Sequence, residues 1–392
     1  MEEKRILYLA FRFPFPLTDG YRIRVYNYCK CLKNIGYKVN LFFIYEDEKE
    51  YIPFLEEVKD IFENIIPIKL SKFEKIKNLL TSLLKLESLQ ENIFLTSKGK
   101  KYVQENYKNY DKVFISYIRM YKYVDKLQCY KILDYADSLA YHYDKARYEA
   151  YGIWKIIYNY EFKKIKKLEK NLLEKVDKAL ITSPMDKEYI LSNISNPKNE
   201  IEIFPQAINE KLFSYTENIE KNRDKKIIVF IGKLDYYPNE DAVLYFSEEV
   251  LPKLNNVEFQ VIGINATEKI KKLEDENSNI KILGFLEDPY QVIKNADLMV
   301  APIRIGGGIQ NKILEGMALG KTVITFEQRI KPMVNIKNYE EIIGVKNTEE
   351  FIEIINKLTE KDLEGIGIKA QEFIKNNYTW ERIERKLKRI IL

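Results

Sequence analysis

The chain has 392 residues, long for a single core and suited to two α/β domains of ordinary size. Its 64 Lys+Arg against 59 Asp+Glu leave a net charge of +5, too little to argue for nucleic acid but compatible with an anionic ligand or surface. Three cysteines, Cys29, Cys31 and Cys129, are too few for a disulfide framework and point to a reducing, cytoplasmic setting.

Glu2-Glu3-Lys4-Arg5 followed by only a strand-length apolar run predicts no signal peptide. No stretch reaches the ~20 apolar residues that span a bilayer, so any membrane contact is expected to be peripheral, at the inner face. The first predicted strand is Ile6 to Phe11, followed by a long loop with Pro14, Pro16 and Gly20 and a helix from about Ile23 to Ile35. Gly36 caps that helix, and Lys38 to Tyr45 is the second strand. This order begins a doubly wound sheet, whose ligands bind beyond the carboxyl ends of its strands, so Asp19, Gly20, Arg22 and Arg24 are expected to face the crevice. Two arginines at a helix start are equally compatible with solvated charge.

Ser71 to Tyr110 reads as helical, with Phe73, Ile76, Leu79, Leu80, Leu83 and Leu84 on one stripe and lysines elsewhere. The ordinary expectation is that this stripe packs on the sheet; a basic amphipathic helix resting on a membrane or covering the acceptor is the alternative. Strands at Lys112 to Ser116 and Tyr130 to Leu133 follow. The second runs into Asp134 and Asp137, which are candidates for acceptor binding or proton handling, or else form the N-cap of the next helix with Ser138. The lone histidine, His142, lies in a Tyr-rich helix and reads as structural. Tyr143 to Lys178 is helical and lysine-rich, strands at Ala179 to Thr182 and Ile201 to Phe204 finish the first domain, and a polar linker runs from Pro205 to Asp224.

The second domain opens with the apolar strand Lys226 to Ile231, which turns at Gly232-Lys233. Further strands fit Phe259 to Ile262, Lys281 to Leu283, Leu298 to Ala301 and Thr322 to Thr325, with helices between them. After Ala301 comes a loop with Gly306, Gly307 and Gly308, then a helix from about Ile309 to Leu319 that Gly320 stops. A strand feeding a glycine-rich turn into a helix N-terminus suits an anion, because backbone N–H groups and the positive helix end converge there. On that helix Ile313, Leu314, Met317 and Ala318 form the buried stripe, while Lys312 and Glu315 share the other face. A cation near a pyrophosphate with a carboxylate about 4.5 Å deeper, where ribose hydroxyls can donate to it, is the layout a nucleoside-diphosphate ligand requires.

The segments PIRIGGGIQNKILEGMALGKTVIT and FIGKLDYYPNEDAVLYFSEEVLPKL, with FPFPLTDGYRIRVYN and ILDYADS in the first half, resemble retaining glycosyltransferases of family 4, nearest to bacterial exopolysaccharide sugar transferases. The resemblance implies the GT-B fold: two Rossmann-like domains, about 1–207 for the acceptor and 208–392 for the nucleotide sugar. They would face a cleft, with residues 376–392 forming a helix that crosses back. It assigns donor contacts to Gly20, Gly306, Gly307, Gly308, Ile309, Gln310 and Glu315, and places Arg22, Arg24, Asp134 and Asp137 near the acceptor or sugar. Lys233, Lys312 and Arg304 would meet the charge of the leaving diphosphate without a metal, and Gly284 to Asp288 lies where relatives hold the base.

Besides Lys233, where relatives often carry arginine, and Tyr236-Tyr237-Pro238-Asn239, where they often carry a further lysine, two more places depart from that family. Tyr117, Ile118 and Arg119 stand where many relatives have a histidine near the sugar, and Gly307 stands where many have a glutamate. The expected reaction is glycosyl transfer from a nucleotide-diphosphate sugar to a saccharide or lipid-linked acceptor, with no other cofactor and no nucleic acid. The departures leave a non-catalytic nucleotide-sugar-binding subunit as the alternative, and a nucleotide-sugar epimerase as a lesser one.

Overall fold

A computed structural model describes residues 3–192, 194, 197, 199–217, 224–305 and 308–392. Contacts divide it into one unit of Met1–Gln206 with Ile383–Leu392 and another of Ala207–Arg382.

The first unit holds a seven-stranded parallel sheet: β1 (Arg5–Ala10), β2 (Lys38–Tyr45), β3 (Phe62–Lys69), β4 (Lys112–Ser116), β5 (Tyr130–Asp134), β6 (Lys178–Ile181) and β7 (Ile201–Ile203). Their order is β3-β2-β1-β4-β5-β6-β7. The central strands are continuous apolar runs because helices cover both faces, as a parallel sheet requires. The order reverses between β1 and β4, which pair from Ile6↔Lys112 to Leu9↔Ile115. The loops that leave these two strands therefore flank the switch point of the sheet.

Two sequence expectations fail here. β3 was not foreseen, because Pro67 interrupts its apolar run and much of the strand is exposed. The stretch expected to be helical from Ser71 to Tyr110 is broken into Lys72–Leu84, Leu89–Asn92 and Ser97–Asn106, each restarted by a Ser or Thr N-cap.

The helix Lys72–Leu84 also faces the opposite way to the ordinary expectation. It packs by its polar side: Asn78 Nδ2 donates to Leu95 O at 2.6 Å, and buried Ser82 accepts from Asn92 Nδ2 at 2.9 Å. Its apolar stripe points to solvent, with Phe73 76% and Leu84 85% exposed and Ile76, Leu80 and Leu83 also exposed.

The second unit holds a six-stranded parallel sheet: β8 (Lys226–Ile231), β9 (Val257–Ile262), β10 (Ile280–Gly284), β11 (Leu298–Ala301), β12 (Thr322–Phe326) and β13 (Ile343–Val345), in the order β10-β9-β8-β11-β12-β13. The three-residue β13 was also unforeseen. The switch point lies between β8 and β11, which pair at Leu298↔Ile228 and Met299↔Val229. The Gly232-Lys233 turn and the loop after β11 thus leave neighbouring strands at the switch point, where sheets of this kind generally bind ligands. The fold is that of two doubly wound parallel α/β units, as expected.

Candidate functional site

The helix after the glycine loop spans Asn311–Ala318, two residues shorter at its start than expected, with Gln310 as its extended N-cap residue. Gly308 just before it has φ +69°, a left-handed conformation that glycine adopts without strain. Gly306 and Gly307 lie outside the described residues. Ile309 is half-buried against the core, and the Gln310 carbonyl accepts the Ile313 N–H at 2.9 Å.

Lys312 and Glu315 are both half-buried. The Lys312 ammonium donates to Asn239 Oδ1 at 2.5 Å and lies 4.2 Å from the centre of the Phe230 ring. Burial pulls its pKa down to about 7, opposed by the Glu315 carboxylate. Glu315 is raised by burial, while a hydrogen bond from the Tyr290 hydroxyl and the Lys312 charge act to lower it.

Asn239, in the first turn of the helix Tyr237–Tyr245, also donates through Nδ2 to the Lys233 carbonyl at 2.8 Å. It ties the β8 turn to Lys312. The Lys233 side chain itself is exposed and pairs with Asp235 at 3.3 Å. Arg304 is held by Asp241 on the same helix, with Nε–Oδ2 3.0 Å and Nη2–Oδ1 2.5 Å, and its guanidinium stacks 4.6 Å from the Tyr245 ring. One short helix therefore anchors both Lys312 and Arg304.

The packing behind this site is close. A Cβ on Gly232 would lie 2.7 Å from Asn239 Nδ2 and 2.9 Å from Lys312 Nζ, and a Cβ on Gly263 would lie 1.7 Å from the Gly232 carbonyl oxygen. Sequence reasoning missed Asn239, Tyr290, Phe230 and Gly263. Only Pro238-Asn239 at a helix start carried a local signal; the others matter through tertiary approach.

In the first unit the expected residues divide. Arg24 and Asp134, expected to face the crevice, instead form a buried bidentate pair, 2% and 0% exposed, with Nε–Oδ2 2.7 Å and Nη2–Oδ1 2.8 Å. Arg24 Nη1 also donates to the Phe204 carbonyl at 3.0 Å. These contacts make the pair a strut across the sheet ends. Asp137 accepts from Thr182 Oγ1 at 2.6 Å, and it is Ser138 that caps the helix Leu139–Glu149. Gly20 is exposed at the start of the helix Gly20–Asn34, with open space where a side chain would stand. Half-buried Arg22 donates to Thr18 Oγ1 at 3.0 Å, and Asp19 caps that helix. His142 is exposed.

Among the described residues no group of three or more His, Cys, Asp or Glu side chains is arranged to hold a metal ion, and no helix is long and apolar enough to cross a membrane.

Residues 225–361 match the family described as Glycosyl transferases group 1. Over 238 residues, 57% of this chain and 60% of the relative, the sequence is 27% identical to an uncharacterized glycosyltransferase of Methanocaldococcus jannaschii. Solved structures share the fold across nearly the whole length. Sucrose-phosphate synthase from Thermosynechococcus elongatus has TM-score 0.69 at 15% identity, covering 99% of this chain and 98% of that one. Anabaena HepE in complex with UDP has TM-score 0.68 at 14% identity, covering 98% of each chain.

Proposed function

We propose that this chain, a GT-B-fold protein whose second unit carries a glycosyl transferases group 1 domain, moves a sugar from a nucleoside-diphosphate donor to a saccharide or lipid-linked acceptor. The transfer would retain the anomeric configuration and serve a cell-surface polysaccharide or glycoconjugate.

The observation that carries this reading is the pairing of half-buried Lys312 and Glu315 on a helix that starts from a glycine loop at a sheet switch point. Glu315 is suited to accept from two ribose hydroxyls, with Tyr290 orienting the carboxylate. Lys312, Lys233 and the loop amides oppose the charge that grows on the diphosphate as the glycosidic bond breaks, with Arg304 flanking them. HepE was also solved with UDP-glucose, which makes UDP-sugars the first donors to try.

The test is turnover of a nucleotide-sugar panel with lipid extract and saccharide acceptors, with and without EDTA. Transfer that survives chelation is expected. Donor binding without turnover on any acceptor would favour a non-catalytic binding subunit.

The exposed stripe of helix Lys72–Leu84 supports peripheral membrane contact. Apolar side chains that face water beside Lys72, Lys77 and Lys85 fit an anionic bilayer interface. Flotation with phosphatidylglycerol vesicles, lost in Leu80→Glu/Leu84→Glu, is the expected result.

A further inference from the structure

The first unit holds a second charged feature at the switch point between β1 and β4. Arg119 follows β4 and is half-buried, and its Nε is enclosed without a hydrogen-bond partner. Its described contacts are the faces of two rings: the guanidinium carbon is 5.0 Å from the centre of Phe11 and 5.9 Å from that of Phe94.

Burial lowers its pKa and the like-charged Arg12 adds to that, while the phenols of Tyr143, Tyr21 and Tyr117 act the other way. Arg12 shares the Phe11 ring, 5.4 Å away, lies 4.8 Å from the Tyr21 ring, and reaches Asp19 with its Nη2 at 2.8 Å. Phe11 and Tyr21 are 4.0 Å apart, Tyr21 and Tyr117 are 5.1 Å apart, and Tyr117 itself has φ +69°, unusual for a residue with a side chain.

A half-buried guanidinium that bonds to no carboxylate among the described contacts, with a second cation beside it, is stabilised by a group that supplies negative charge. The buried Arg24–Asp134 pair shows how this same unit treats an arginine that holds the sheet together: it gives it two carboxylate bonds and a carbonyl. Arg119 has none of these.

We propose that Arg119, with Arg12, binds a compact oxyanion, a phosphate or carboxylate, carried by a sugar acceptor. A guanidinium on an aromatic face keeps its edge donors for such a group. The word acceptor rests on the transfer reading; the oxyanion site does not, and the two fail separately when binding alone is measured.

Calorimetry on the full chain with glucose 6-phosphate, glucuronate and glucose tests it, with thermal melting in parallel. Binding of one or both acidic sugars but not of glucose is expected, weakened at least tenfold in Arg119→Gln and partly restored in Arg119→Lys, with UDP affinity unchanged in both. Without ligand, Arg119→Gln should melt at or above the wild-type temperature, because it removes an uncompensated charge. Equal binding of glucose, acidic-sugar binding undiminished in Arg119→Gln, no binding of any of the three, or a ligand-free variant that melts several degrees lower would each overturn the proposal.

Discussion

The Lys312 ammonium donates to Asn239 Oδ1 at 2.5 Å, so the only side-chain hydrogen bond described for this buried cation goes to a neutral amide. That choice leaves the charge weakly compensated, and burial lowers the lysine pKa to about 7. A diphosphate placed beside it restores the preference for the protonated form.

Above pH 7 the free protein should therefore hold Lys312 largely neutral, and nucleoside-diphosphate binding should take up a proton. At pH 8 the uptake is expected to approach one proton, falling towards zero near pH 6, where the lysine is already charged. Binding enthalpies in buffers of different ionisation enthalpy measure it, and Lys312→Gln should abolish it. In turnover, Lys312→Ala should lower kcat by roughly a hundredfold while raising the donor KM less, as expected for a cation that meets developing charge.

The two glycines behind the site should separate stability from binding. In Gly263→Ala the new methyl meets the Gly232 carbonyl at 1.7 Å, and backbone cannot yield cheaply. Urea denaturation should show a loss of about 3 kcal/mol. Gly232→Ala meets only the ends of Asn239 and Lys312. It should cost less stability and instead weaken diphosphate binding, by displacing the ammonium.

Arg24→Leu should destabilise the first unit by about 3–5 kcal/mol, because it leaves Asp134 buried and unpaired. Unfolding followed by circular dichroism measures this. A variant that kept wild-type stability but lost acceptor use would return Arg24 to the ligand role that its sequence position suggested.

Much of this architecture was legible because it is written locally. β2, β4, β8 and β11 are apolar runs bounded by turn residues, and their observed limits match the reading at both ends. The helix that carries Lys312 and Glu315 was legible to within two residues at its start for the same reason: the buried stripe and the face they share are set by spacing.

What escaped depends on tertiary approach. Arg24 and Asp134 meet across 110 residues, and Asn239 reaches Lys312 across 73. The stripe on helix Lys72–Leu84 could be read from its period, but period does not say which way a stripe faces; buried Ser82 and the Asn78 bond decided that.

The most direct measurement is UDP titration of wild type and Glu315→Ala by calorimetry, with thermal melting of both. Saturable UDP binding is expected, at least tenfold weaker in the variant, which corresponds to about 1.4 kcal/mol, while the variant melts within a few degrees of wild type. A wild-type chain that binds no nucleoside diphosphate, or a folded Glu315→Ala that binds UDP as tightly as wild type, would contradict the account of this site.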